Sequence, residues 1–224
     1  MKTSSASVNR RWTKLEQNLA ARKLVHRKAL WAQICASGEP FTFVAEREQF
    51  IVHTNDPVGE SIFLYGEYDF QKLALALQLL GRKHVETLVD LGANVGSICI
   101  PAVSRGFATR SIAIEPEPTN FLMLTANIEL NSLQHKIRAH QNAVGPVDNQ
   151  SIRLELSSEN FGDHRITPTV GAPRERDSTT VTSMTLDTLV PNLNPLTDLI
   201  FMDVQGFEKF VLDGAANAIQ SRVP

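Results

Sequence analysis

The spacing of apolar residues changes along this chain, and each change marks an element. From Trp12 to Ile34 they recur at loosely helical intervals (Trp12, Leu15, Leu19, then Leu30, Trp31, Ile34), which predicts an amphipathic helix ended by Ser37-Gly38-Glu39-Pro40. FTFVA (41–45) and QFIVHT (49–54) are short apolar runs around a polar connection and predict a β-hairpin. After Asp56-Pro57 and YGEYDF (65–70), the run LALALQLLG closing at Gly81 predicts a helix.

From residue 86 the pattern becomes an alternation of short apolar runs and helical stretches. ETLVDLGANVG (86–96) is a strand entering a glycine turn, followed by the helix SICIPAVSRG. SIAIEPE (111–117), KIRAHQNAVG (136–145) and DLIFMDVQG (198–206) are further strands, the last expected to be buried. TNFLMLTANIELN (119–131), MTLDTLV (184–190) and FEKFVLDGAANAI (207–219) are helices, and SIRLEL (151–156) suits one arm of a hairpin. Strands alternating with helices imply βαβ units, hence an α/β fold with a mostly parallel sheet covered on both faces. Residues 157–178 are polar and rich in loop formers, a length that in a compact domain points to a functional or disordered loop.

Composition narrows the setting. A chain of 224 residues, 42% hydrophobic, is large enough for one sizeable core with an extension. Residues 1–36 carry eight basic side chains against Glu16 alone, a surplus of seven, so the net −2 leaves −9 on the rest. The helix at the start therefore has a basic face, and the mildly acidic body is no nucleic-acid platform by charge. Cys35 and Cys99 alone form neither a CxxC pair nor a four-ligand site, so no metal is expected, and a reducing, cytoplasmic setting is the simplest reading. No apolar run reaches the roughly 20 residues of a membrane span.

The candidate chemistry sits where the first strand of the alternation meets its helix. In Asp90-Leu91-Gly92-Ala93-Asn94-Val95-Gly96 the turn lies at the carboxyl edge of a parallel strand, where open α/β folds bind ligands. Gly92 and Gly96 lack a Cβ and permit close approach. Asp90 can accept from an ammonium or a water, and Asn94 both donates and accepts. This is not the G-x-G-x-x-G turn that seats a pyrophosphate, since Asn94 stands two after Gly92, so a ligand without one fits better. A turn serving only packing is the alternative. Glu115, 23 residues after Gly92, ends the next strand and can accept from ribose hydroxyls, a feature shared with dinucleotide folds. Asn142 could meet an adenine edge or merely cap a loop. Asp203, at the end of strand 198–203, is a candidate general base or a helix cap. Glu208 suits the dipole of the next helix. His164 lies in the long polar loop and would be a base if that loop closed, or a solvated histidine if not. His26, His53, His84, His135 and His140 show no ligand spacing.

DLGANVG, IEPEPTNF, NIELN, TLD at 185–187 and DVQGFEKFVLDGA, in that order and spacing, resemble the FkbM family of S-adenosylmethionine-dependent methyltransferases, as does YGEYD ahead of them. The resemblance covers about residues 41–219. It implies a Rossmann-like class I methyltransferase fold and O-methylation of a small molecule or sugar hydroxyl. Asp90, Gly92, Asn94 and Gly96 would hold the methionine end of the cofactor and Glu115 its ribose. Asp203 and Glu208 match the family's acidic segment, whereas Gln205 stands where the family usually has Glu.

The expected organisation is a basic helical extension at 1–40, a hairpin and pre-domain helix at 41–84, and a cofactor-binding Rossmann-like domain at 85–224. Ser221–Pro224 reads as the lead-in to a further strand, so the domain is expected to be C-terminally incomplete, with strand 198–203 an open edge. That edge or the N-terminal helix could join copies in a homo-oligomer. The expected partner is a small-molecule or carbohydrate acceptor. The alternatives are a non-catalytic, truncated family member acting in binding or assembly, and an NAD-dependent oxidoreductase.

Overall fold

The computed structural model describes residues 22–38, 41–45, 47–54, 56–157, 165–167 and 177–220. Residues 22–35 are helical (α1), within the helix expected from the spacing of Trp12 to Ile34; its first ten positions and His164 lie outside the described residues. The hairpin follows as β1 (Phe41–Val44) and β2 (Gln49–Val52), antiparallel with Phe41 opposite Val52.

Helix α2 (Pro57–Tyr65) is an element the hydrophobic spacing did not reveal, although its boundary signals are present. Asp56 caps it by accepting from the Gly59 N–H, Pro57 occupies the first turn, and Gly66 ends it at φ 86°. Helix α3 (Phe70–Leu79) comes next.

Four parallel strands then form the central sheet. These are β3 (Val85–Leu91), β4 (Ala108–Ile114), β5 (Ile137–His140) and β10 (Leu199–Met202), in the order β10-β3-β4-β5. Helices α4 (Cys99–Ser104) and α5 (Pro118–Leu130) provide the connections. Strand β3 is buried at every position but Glu86, as expected of a central parallel strand. Strand β10 is half-buried throughout, not fully buried as its apolar sequence suggests; among the described residues it lies at the edge of the sheet, paired with β3.

Two expected elements are each divided in two. The run 136–145 forms β5 in the central sheet and β6 (Ala143–Val144), which leaves that sheet to pair parallel with β9 (Ser178–Met184). The run 207–219 forms α7 (Glu208–Asp213) and α8 (Ala216–Gln220), broken at Gly214. A side chain at Gly214 would run into the backbone carbonyl of Gly145, so the close approach of two main chains decides that break.

Strand β9 also pairs antiparallel with β7 (Gln150–Glu155), which pairs with β8 (Arg165–Thr167). The order β6-β9-β7-β8 makes a second, mixed sheet. Thus the fold is α/β with a parallel sheet and flanking helices, but the antiparallel share is larger than the alternation of strands and helices predicts. Helix α6 (Leu186–Leu189) links the two sheets.

One apolar cluster runs from Trp31 of α1 through Phe50, Ile62 and Leu73 to Leu88, Ile100 and Leu124, so hairpin and early helices share a core with the sheet. A buried ion network reinforces this contact. Arg105 bonds to both oxygens of Glu48, which is wholly buried, and to Glu67. Asn127 of α5 bonds to the backbone of Ile51 in β2, and Asn131, the C-cap of α5, to that of Gln49, the first residue of β2.

Candidate functional site

The turn after β3 is tied to the strands on either side. Gly92 and Ala93 both donate their N–H to the carbonyl of Ile114 at the end of β4, at 2.9 and 3.1 Å. Asp203, just past β10, donates its N–H to Leu91 at 3.0 Å. These bonds gather the carboxyl ends of β3, β4 and β10, and a side chain at Gly92 would strike the carbonyl oxygen of Asp203. Gly92 sits at φ 82°, a conformation that also favours glycine.

Two clefts open over this floor. The first, about 550 Å³ including its open mouth, is lined by Gly92, Asn94, Glu115, Asn120, Asn142 and Asp203 with an apolar wall of Ile114, Pro116, Val144 and Leu154. The second is lined by Tyr68, Asp69, Asp90 and Ser97, and shares Gly92, Asn94, Asp203 and Gln205 with the first. Asp69, Asn94 and Gln205 are three of the non-glycine residues with positive φ (56°, 50° and 53°), and all three line the second cleft. Such conformations persist only where surrounding contacts hold them, and they gather at functional sites.

Glu115 is buried and held on both oxygens. Oε2 accepts from the Asn94 N–H at 2.8 Å and Oε1 from the Glu117 N–H at 3.0 Å. The Asn120 side chain bonds to it as well. Burial nevertheless dominates and raises its pKa to about 7. Asp90 lies beneath the floor, 1% exposed, with Oδ2 accepting from the Cys99 N–H at 3.1 Å. Burial raises its pKa to about 7 too.

Asp203 keeps much of its surface in water. The cleft walls still shield its carboxyl enough to raise its pKa, against the lowering influence of the Lys72 ammonium and with the help of Asp69 and Glu208. Gln205 donates to Asp203 Oδ1 at 2.9 Å. Glu208, in the first turn of α7, accepts from the Gly206 N–H at 3.2 Å.

Seven of the eight candidate residues can be placed. Asp90, Gly92, Asn94, Glu115, Asn142 and Asp203 line one or both clefts. Gly96 lines neither: a Cβ there would come within 2.6 Å of Ile100 and 3.1 Å of Leu124, so core packing accounts for its small size. Asn142 sits at the break between β5 and β6, its side chain directed to the Thr182 carbonyl at 3.4 Å. Tyr68, Asp69 and Asn120 were not among the candidates. Tyr68 and Asp69 end the YGEYD segment, and Asn120 is in IEPEPTNF, so all three lie within stretches that carry the resemblance.

The domain described as Methyltransferase FkbM matches residues 90–223, more than half of the chain. The chain belongs to the FkbM family of S-adenosylmethionine-dependent methyltransferases. Among solved structures, this FkbM chain is similar to the methyltransferase FkbM of Methylobacillus flagellatus KT, at 20% identity and a TM-score of 0.47 over 75% of this chain and 40% of that one. It is also similar to Pyrococcus horikoshii TYW2 in complex with MeSAdo (21%, TM-score 0.36, 47% and 37%) and to the tRNA m1G37 methyltransferase of M. jannaschii (22%, TM-score 0.33, 50% and 32%). The FkbM chain spans about two fifths of the length of the solved structures it first matches. No curated protein matches it. Among the described residues no helix is long and apolar enough to cross a membrane, and no group of three or more His, Cys, Asp or Glu could hold a metal.

The site residues fit S-adenosylmethionine by their chemistry. The first cleft pairs a buried carboxylate, Glu115, with an apolar wall, as a nucleoside requires of its ribose and base. The side-chain-free Gly92 floor and the carboxylates of the second cleft suit a small cationic group.

Proposed function

We propose that the chain binds S-adenosylmethionine across the two clefts and transfers its methyl group to a hydroxyl of a small molecule or sugar. The observation that carries this reading is the shared floor. Gly92, Asn94, Asp203 and Gln205 border both clefts, so a ligand seated against Glu115 meets a second molecule beside Asp203.

The residues divide the work. Glu115 would accept from the ribose hydroxyls, while Ile114, Pro116, Val144 and Leu154 enclose the base. Asn94 and, from beneath, Asp90 would hold the amino-acid end. When bound, S-adenosylmethionine supplies a methyl group activated on a sulfonium, so the protein's task is alignment and exclusion of water. Asp203 would take the proton of the acceptor hydroxyl, and its raised pKa brings it nearer to the range of an effective base. Gln205 orients that carboxylate by donating to Oδ1, without the second negative charge that a Glu would add.

Calorimetry with S-adenosylmethionine, S-adenosylhomocysteine and NAD tests the binding half. Micromolar binding of S-adenosylhomocysteine that is lost in Asp90→Ala and Glu115→Ala supports it, and no binding by well-folded protein refutes it. Release of S-adenosylhomocysteine over a panel of hydroxyl acceptors tests the transfer half. Binding without turnover on a broad panel favours a non-catalytic role.

A further inference from the structure

A chain of buried polar groups leads from the N-terminal hairpin to the nucleoside cleft. His53 follows β2 and is 8% exposed. Its Nε2 lies 3.2 Å from Asn120 Oδ1. Asn120 is 1% exposed, and its side chain both lines the first cleft and bonds to Glu115.

We propose that His53 is a positioning residue for the cofactor's ribose, acting through the Asn120 amide on the Glu115 carboxylate. The inference rests on the reading of Glu115 as the ribose ligand and adds a residue outside the matched stretch 90–223.

The direction of each bond follows from what the groups can do. Above about pH 7, where Glu115 is ionised, its carboxylate only accepts, so Asn120 turns its NH2 to Glu115 and its carbonyl to His53. The carbonyl only accepts, so Nε2 of His53 carries the hydrogen. Burial lowers the pKa of His53, against the raising influence of Asp56 and Glu117 and of the bond to Asn120 itself, and so favours the neutral ring. Asn120 is already fixed through its backbone, whose N–H donates to Glu117 Oε2 at 2.6 Å. The rotation of its amide then decides what Glu115 meets, and Glu115 and His53, bonding its two ends, favour the same orientation. With the amide reversed, a carbonyl would face the Glu115 carboxylate, and the group would lose one of the donors that stabilise its charged, ribose-accepting form.

The test separates ribose recognition from stability. Binding of S-adenosylhomocysteine is compared with that of its 2′-deoxy and 3′-deoxy analogues by calorimetry, with melting temperature as a control for folding. Wild type is expected to prefer the intact ribose by roughly tenfold or more, the scale of a hydrogen bond to a charged group. Glu115→Ala abolishes that preference. His53→Phe, which fills the space without a donor, reduces it about three- to fivefold, and His53→Gln, which restores an amide donor, recovers it. A folded His53→Phe protein with the wild-type preference overturns the relay. If Glu115→Ala itself keeps the preference, the ribose reading fails instead. Nitrogen-15 spectra of the wild-type histidines give a second readout that needs no variant: the hydrogen of His53 is expected on Nε2, and finding it on Nδ1 overturns the proposal.

Discussion

The two ends of the site are built on opposite principles. At the Glu115 end, a fully buried carboxylate is held by two backbone N–H groups and an amide, between two strands and a helix N-terminus. At the Asp203 end, an exposed carboxylate accepts from the Gln205 side chain at 2.9 Å and stands beside Lys72 and Asp69, which pair with each other at 2.6 Å. A ligand common to all members of a family can be met by a rigid, dehydrated socket. An acceptor that differs between enzymes is better met by polar groups that water still reaches. On the proposed reading, affinity for the cofactor and choice of the second molecule would be separated in space, with Gly92 in the floor between them.

The largest effect should come from Gly92, the backbone floor of both clefts. Gly92→Ala places a Cβ against the Asp203 carbonyl at a φ that favours glycine. It is expected to destabilise the protein by roughly 3 kcal/mol and to abolish S-adenosylhomocysteine binding. Thermal melts and calorimetry check both, and an unaffected variant would break the idea of a shared floor.

Asp203→Asn should strike methyl transfer while leaving the Glu115 socket intact. Methyl transfer is expected to fall by about 10²–10⁴-fold, the usual contribution of a general base, with S-adenosylhomocysteine affinity unchanged within about twofold. Loss of affinity instead would mean that Asp203 belongs to the socket.

The buried end should respond to pH. The folded-state pKa values of Asp90 and Glu115 are raised to about 7 from ordinary values of 3.8 and 4.5. In that window the folded chain holds protons that the unfolded chain has released. Stability is therefore expected to fall as pH rises from about 4 to about 7, and Asp90→Asn should flatten that slope and raise the melting temperature at pH 7 while weakening the cofactor. Binding runs the other way. If the ionised carboxylates accept the ligand as proposed, affinity should climb with pH and level off above about 7.

The smallest effect is expected from Gln205→Glu. A second carboxylate beside Asp203 raises the pKa of Asp203 further and shifts the rise of the pH–rate profile upward, with little change in cofactor affinity. An unchanged profile would show that Asp203 does not act as the base.

Much of the parallel sheet was legible, because each of its strands is an apolar run that ends at a turn residue. The strand–turn segment 86–96 and the carboxylate Glu115 were found from local pattern alone. Helix α2 is not legible in the spacing of its apolar residues; its signals are the boundary residues Asp56, Pro57 and Gly66. The departure of β6 from the central sheet was not legible, since nothing in QNAVG states which strand it will pair with. The break at Gly214 depends on Gly145, 69 positions earlier.

The sequence by itself determined the alternation of strands and helices, the glycine turn at Asp90–Gly96 and the family. All are encoded in residues that lie close together along the chain. Only the tertiary structure decided that Gly92 must be small because of Asp203, that Gly96 serves the core, and that His53 reaches Glu115 through Asn120. The physical reason is one of distance. Spacing along a chain reports which face of an element a residue occupies, whereas burial, proton affinity and hydrogen-bond partners are set by atoms that folding brings from elsewhere.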